Sequence, residues 1–478
     1  MGAQSEALLA KLCKRSFLSL WSYPNPYNDK GLAKRQEGKE LCDLLVIFGD
    51  DVIIFSDKSC VYPQTGDARL DWTRWYKRAV KDSVLQIFGA ERWLRDHPGR
   101  VFADNRCTVP LDVSIPPRGQ MRVHRIVVAL GSRERCREYF GGGSGSLPIR
   151  STDIPSDDLS EVFQVGRDGR PGAFVHVFDD MALHVVLSEL DTAADFVDYL
   201  TKKEACFATH DVFATGEEDL LAHFLLTMDG AEHAFVPART LENDGDFDKT
   251  VLFVDETAFV GLVAKDEYAE SKRANRPSYF WDNLIEHFTK YFRSGELVEG
   301  PTALEFELAL RQMATPSRVV RRQLGKMLYS ALNTADLGKA RYMAVFDLAG
   351  GGLGYGVVCM SYDGDVSYEV YRERRRALML LYAKSLRVRQ DVLRQVLVLG
   401  IQPKHNLGSS EDMALIDLSD WSPELEAETR EQMAAFGIGA SASHFREQEF
   451  PSRARHLGGR EAERRRKQLE RKGKRDLN

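Results

Sequence analysis

The spacing of apolar positions changes along the chain, and each change predicts an element. Residues 4–21 read as an amphipathic helix and its exit. Pro24 to about Gly38 is a polar loop containing Pro and Gly. Leu44–Phe48 and Val52–Lys58 lie on either side of Gly49-Asp50-Asp51 and are rich in β-branched and aromatic residues, which predicts a strand, a tight turn and a strand. From about Trp72 to Asp96 the positions Trp75, Ala79, Val80, Ser83, Val84, Ile87, Phe88, Ala90 and Leu94 recur at helical spacing, and Pro98-Gly99 ends the helix. Val123–Leu130 returns to a strand pattern. Together these make an α/β domain over residues 1–150.

Gly141 to Ser146 is a glycine-rich break, read here as a loop of the first domain. Phe174–Asp179 predicts another strand. Ala193–Lys203 predicts a helix capped by Thr192. Residues 151–335 are mixed and mainly helical, with helices over Tyr279–Phe292, Ala303–Met313 and Ser317–Leu332. Residues 336–450 form a second α/β unit: strands Tyr342–Leu348 and Gly356–Ser361, a helix Tyr368–Arg387, and strands Val396–Ile401 and Met413–Leu418. Residues 451–478 are a charged, Lys/Arg-rich tail, and no internal repeat stands out in the sequence.

Composition narrows the function classes. At 478 residues the chain exceeds one ordinary core. Its 43% hydrophobic and 28% charged content is that of a globular protein. A net charge of −6 does not describe a protein that coats nucleic acid generally, yet it permits a local basic groove. Seven scattered cysteines without a CxxC pair argue against a disulfide framework and a zinc ribbon, and fit a reducing cytoplasm. No apolar run reaches membrane-spanning length, so no membrane partner is expected.

The chemistry concentrates in the first hairpin. Asp43 opens its first strand, with Glu40 just before it, and Asp57-Lys58 close its second. An antiparallel hairpin of this length brings those outer ends together. Mg²⁺ (or Mn²⁺) is held by one or two carboxylates with substrate oxygens and water. Such an ion polarises a phosphoryl oxygen and acidifies water. A neighbouring lysine orients the water and stabilises developing charge. The competing reading is a set of ordinary strand-end charges on a solvated edge.

This order of residues resembles the PD-(D/E)xK nuclease superfamily, in particular its restriction-endonuclease-like, Mrr-like and NERD-like branches. The resemblance covers roughly residues 35–130. There, an acid from a preceding helix, an Asp at a strand and a Glu-x-Lys on the next strand form the centre, and a following helix supplies a Gln. Here Asp43, Lys58 and Gln86 take the matching places, with Glu40 as the preceding acid. The chain departs from the pattern at Ser56, where the family has Glu. Asp57 is the adjacent residue, and strand alternation turns it to the opposite face. Either a bulge re-aims Asp57, or Glu40 or Glu37 supplies the second carboxylate, or the site is incomplete. The resemblance implies an N-terminal restriction-endonuclease-like mixed sheet with flanking helices. It also implies metal-dependent hydrolysis of DNA, with RNA a further substrate, in defence or repair. Asp43, Asp57 and Glu40 would be the metal carboxylates, and Asp43, Asp57, Lys58, Gln86 and Glu40 the catalytic set. The alternative is a catalytically inactive nuclease-like domain that binds nucleic acid, or a protein partner through residues 151–450.

Other motifs are weaker. Gly350 to Gly356 runs into strand-like Val357–Met360 without a Gly-Lys-Ser/Thr, which predicts a hairpin turn rather than a phosphate loop. His176, His184 and His210 lack metal-ligand spacing and read as core or surface histidines. No serine sits in a nucleophile elbow. The helix segment Trp72 to Arg78 could line a backbone groove beside the hairpin, though its tryptophans fit a core.

Overall fold

The computed structural model describes residues 2–153, 161–167, 173–230, 232–237, 251–295, 302–334, 340–347, 352–404 and 410–438. The Lys/Arg-rich tail and Gly350-Gly351 lie outside them, while Gly352 takes a positive φ of 90° and Leu353 to Gly356 already belong to a strand. The protein is α/β, as the alternation of periods predicts. Its contacts divide it into two units, Met1–Leu262 with Leu284–Ser317, and Val263–Asn283 with Arg318–Asn478.

The first unit opens with α1 (Gly2–Trp21) and the short strand β1 (Ser22–Pro24). The expected hairpin follows as β2 (Leu44–Phe48) and β3 (Asp51–Ser59). Its two-residue loop places Gly49 at φ 62°, a left-handed conformation that glycine adopts without a Cβ penalty. The chain then forms α2 (Ala68–Tyr76), a five-residue π-turn (Lys77–Lys81) and α3 (Asp82–Asp96). Next come β4 (Arg122–Leu130), β5 (Val175–Phe178) and α4 (Ala193–Thr209). The sheet runs β1-β2-β3-β4-β5. β1, β2 and β3 are antiparallel neighbours, while β4 lies parallel to β3 and β5 parallel to β4. β3 is buried from Asp51 to Asp57 and the second half of β4 from Ile126 to Ala129, as expected of strands covered by helices on both faces. On one face Phe55 of β3 meets Phe17 of α1 and Phe196 of α4, at 6.5 Å between ring centroids in each case. Thr192 caps α4 by accepting from the Asp195 N–H. A second sheet joins Ile149–Asp153, Val165–Arg167, Asp211–Ala214 and Val251–Val254. Gly141–Gly145 is a loop within this unit, with four glycines at positive φ.

The interruption between α2 and α3 follows from the sequence. Buried pairs recur every four residues: Asp71/Trp72, Trp75/Tyr76, Ala79/Val80 and Ser83/Val84. An α-helix of 3.6 residues per turn would rotate such pairs off the core. The wider π-turn keeps them in line.

The second unit carries α5 (Arg318–Thr334), β6 (Arg341–Asp347), β7 (Leu353–Cys359), α6 (Tyr368–Arg389), β8 (Gln395–Ile401) and β9 (Asp412–Asp417). β6 and β7 are antiparallel, β8 is parallel to β7 across α6, and β9 is antiparallel to β8. The succession of helix, antiparallel hairpin, crossover helix and strand parallel to the hairpin's second strand thus occurs in both units. Apolar residues of α6, such as Met379, Tyr382 and Leu386, pack on Val358, Val396 and Val398. Asp412 accepts from three arginines of α6: Arg372, the fully buried Arg375 and Arg376. Against desolvation, Arg372 and Arg375 hold the carboxyl below its usual range.

Candidate functional site

Two ends of the β3–β4 edge carry ionisable clusters. At the outer end of the hairpin, Asp43 precedes β2 and lies beside the end of β3. Its backbone N–H donates to the Phe55 carbonyl at 3.2 Å, and its Oδ2 accepts from the Asp57 N–H at 2.8 Å. The carboxylate is therefore held at the end of β3 by a backbone N–H of that strand.

β3 is regular. Its pairing with β2 and β4 runs without a register shift, so no bulge re-aims Asp57. Alternation sets the sides. Asp57 shares the face of Phe55, under α1. Ser56 faces α3, where its Oγ donates to Gln86 Oε1 at 3.0 Å. Lys58 follows Ser56 on that face, half-buried. The hairpin thus gathers Asp43, Asp57 and Lys58 at one strand end but divides Asp57 from Lys58 across the sheet.

Asp57 is 4% exposed, and burial raises its pKa to about 6. The Ser5 hydroxyl of α1 and the Lys58 charge offset part of that rise, while Asp43 and Glu6 add to it. Neither Asp57 carboxylate oxygen meets hydrogen-bond geometry with another described group. Glu40 lies in a two-residue strand paired to Tyr27–Asn28, exposed at its surface. Its pKa is also raised, by desolvation, by the Asp43 and Glu6 charges and by a hydrogen bond to Asp43, with Lys58 opposing. Glu6, Glu40, Asp43 and Asp57 therefore form one acidic neighbourhood with Lys58 as its cation. Glu6 on α1 was missed by the sequence reading, which assigned the preceding acid to Glu40. The available signal was its place on the amphipathic helix before the hairpin, because the acid implied by the resemblance comes from a helix.

The net negative charge of this neighbourhood would favour a cation. Burying a carboxylate without a partner costs free energy, and four acids against one lysine leave negative charge for a cation to neutralise. Asp43 and Asp57 would hold the ion, with Glu40 at the rim. Among the described residues, no three His, Cys, Asp or Glu side chains are grouped to hold a metal by themselves.

The opposite ends of β3 and β4 hold a different network. Arg122 forms a bidentate pair with Asp51, at 2.9 and 2.8 Å. The His124 ring lies 3.3 Å from Asp51 and 3.4 Å from Glu204 of α4. His176 contacts the same Glu204 oxygen at 3.0 Å. Burial opposes protonation of His124, but its two carboxylate partners win and raise it to about 8. Fully buried His176 falls to about 4, through desolvation. His176 is thus a core histidine with one anchored nitrogen, while His184 is exposed and His210 half-buried.

The chain matches no protein-family model, no curated protein and no solved structure. The resemblance to the nuclease superfamily therefore rests on the sequence motif alone. All seven cysteines are free thiols. Among the described residues no helix is long and apolar enough to cross a membrane.

Proposed function

We propose that the first unit is a metal-dependent nuclease-like domain that hydrolyses phosphodiester bonds in DNA. The observation that carries this reading is the buried Asp57 carboxylate beside Asp43, at the strand end that also bears Lys58. Asp43 and Asp57 would hold Mg²⁺ or Mn²⁺, with Glu40 and Glu6 adding negative field. The bound ion would supply Lewis-acid polarisation of a phosphoryl oxygen and acidification of water. Lys58 orients the attacking water and stabilises charge on the phosphoryl group. Gln86, fixed by Ser56, positions water or substrate on the α3 face. The free thiols support a reducing, cytoplasmic setting, and defence or repair is the role such chemistry serves.

The regular course of β3 favours a second reading. With Ser56 rather than an acid on the face of Lys58, the domain is an inactive nuclease-like module that binds nucleic acid or a protein partner. The deciding experiment incubates supercoiled, linear and single-stranded DNA, and RNA, with the protein in Mg²⁺, Mn²⁺ or EDTA. Metal-dependent cutting that disappears in both Asp43→Ala and Lys58→Ala supports the first reading. No cutting, or cutting unchanged in both variants, retires it in favour of the binding module.

A further inference from the structure

One buried aromatic side chain of the first unit is held on a strained backbone. Phe163, just before the strand Val165–Arg167, is 2% exposed and has a φ of 59°. A bulky residue rarely adopts that left-handed region, and its cost must be offset by the surrounding contacts. Those contacts are aromatic. The Phe163 ring stacks on Tyr62 at 5.4 Å and 16°. It also lies 5.4 Å from Trp72, 5.3 Å from Tyr139 and 6.4 Å from Phe140, centroid to centroid. Four rings thus form a box with Phe163 as its plug. Tyr139 and Phe140 are more than half exposed, so the box has a solvent side.

The box carries hydrogen-bonding capacity that its plug cannot use. Trp75 backs it, 6.0 Å from Tyr62 and 5.3 Å from Trp72. The Tyr62 hydroxyl, Trp72 Nε1 and Trp75 Nε1 are buried with no hydrogen-bond partner among the described residues. Buried tyrosine and tryptophan donors normally find one, and a phenyl ring offers no acceptor. Arg78 Nη2 donates to the Val61 carbonyl at 3.2 Å, which sets an exposed guanidinium next to Tyr62.

We infer that the box is a binding site for one unpaired pyrimidine base of single-stranded nucleic acid, and that Phe163 closes it in the free protein. A planar base recovers the stacking that Phe163 gives up. Its carbonyl oxygens and ring nitrogen supply the acceptors that the three donors lack, and its phosphate complements Arg78. A six-membered pyrimidine matches the phenyl ring it replaces, whereas a bicyclic purine exceeds it. A methylated ammonium also sits among aromatic rings, but it accepts no hydrogen bond and is repelled by Arg78. Tyr62 lies just beyond the end of β3 that bears Lys58, so a base held here tethers its strand beside the candidate site. Only the meaning of that placement rests on the nuclease reading, because binding to the box requires neither metal nor cleavage.

The test is fluorescence anisotropy of labelled oligo-dT and oligo-dA with the full-length protein in EDTA, with circular dichroism confirming the fold of each variant. Phe163→Ala removes the plug and should bind oligo-dT at least about fivefold more tightly than the wild type, the lower end for one stacked base. The gain for oligo-dA should be smaller. Adding Tyr62→Phe, which keeps the ring and deletes one donor, should take back about threefold. Tyr139→Ala/Phe140→Ala removes exposed rings and spares the core. This pair should weaken oligo-dT binding by the wild type and abolish the gain in Phe163→Ala. Oligo-dT affinity unchanged by Phe163→Ala, or unchanged by the exposed pair, overturns the inference. So does a gain for oligo-dA that equals the gain for oligo-dT. A calorimetric gain for tetramethylammonium in place of one for oligo-dT overturns it as well. The expected pattern in a protein that cuts no nucleic acid leaves this inference standing and removes the nuclease reading alone.

Discussion

Replacing Asp57 by Asn tests whether its carboxylate is a strained group held for a cation. The folded pKa is about 6, against a reference of 3.8. The folded state therefore binds the Asp57 proton more tightly than the unfolded chain does. At low pH both states are protonated and nothing is lost. As pH rises from about 4 to 6 the folded state is penalised, and above that the penalty is complete. At 1.36 kcal/mol per pKa unit it amounts to about 3 kcal/mol. With only 4% of the residue exposed, solvent screens little of it. Asp57→Asn, which has no charge to bury, should protect the β3 amides by up to about 3 kcal/mol at pH 8 in EDTA. The gain should fall to about half near pH 5 and below ~1 kcal/mol near pH 4. Hydrogen exchange read on β3 peptides isolates this unit from the other. Adding Mg²⁺ should stabilise the wild type at pH 8 and leave the variant unmoved. A difference between the two proteins that does not vary with pH, or equal Mg²⁺ stabilisation of both, would refute the reasoning.

Three further outcomes follow from the packing. His124, raised to about 8 from 6.5, should contribute about 2 kcal/mol that is present below pH ~6.5 and lost as pH climbs through 8; His176, lowered to about 4, should oppose it by destabilising the fold as pH falls from ~6.5 towards 4. Ring-proton NMR titration checks both, and two midpoints near 6.5 would contradict the network. Asp412→Ala leaves fully buried Arg375 without its carboxylate and should cost roughly 3–5 kcal/mol, read as the urea midpoint of the second unit; a cost under ~1 kcal/mol would show the pair to be dispensable. Gly325→Ala places a Cβ 1.9 Å from the Pro277 carbonyl oxygen, so α5 must shift; despite the ~1 kcal/mol that alanine gains in a helix, a net loss of ~1–3 kcal/mol is expected, and a raised melting temperature would disprove the close approach.

Local periodicity was legible from the sequence because it is written in near neighbours. The apolar run on either side of Gly49-Asp50 specifies the β2–β3 hairpin, and the Thr192 cap specifies where α4 starts. The four-residue recurrence from Trp72 to Val84 carries the helix, although reading it as uninterrupted α-helix hid the π-turn. The topology common to both units was not legible. Only the order and direction of elements repeat, while side chains at the outer hairpin ends differ, with Asp43 and Asp57 in one unit against Arg341 and Cys359 in the other. The candidate site divides in the same way. The sequence placed Asp43, Asp57 and Lys58 at one strand end because hairpin register is local. Tertiary packing alone brought Glu6 from α1 to the acids of the hairpin, turned Ser56 to Gln86, and buried Asp57 beneath α1. Strand alternation can be counted from a sequence, but electrostatic environment depends on through-space neighbours from distant segments, and those are set only when the helices close over the sheet.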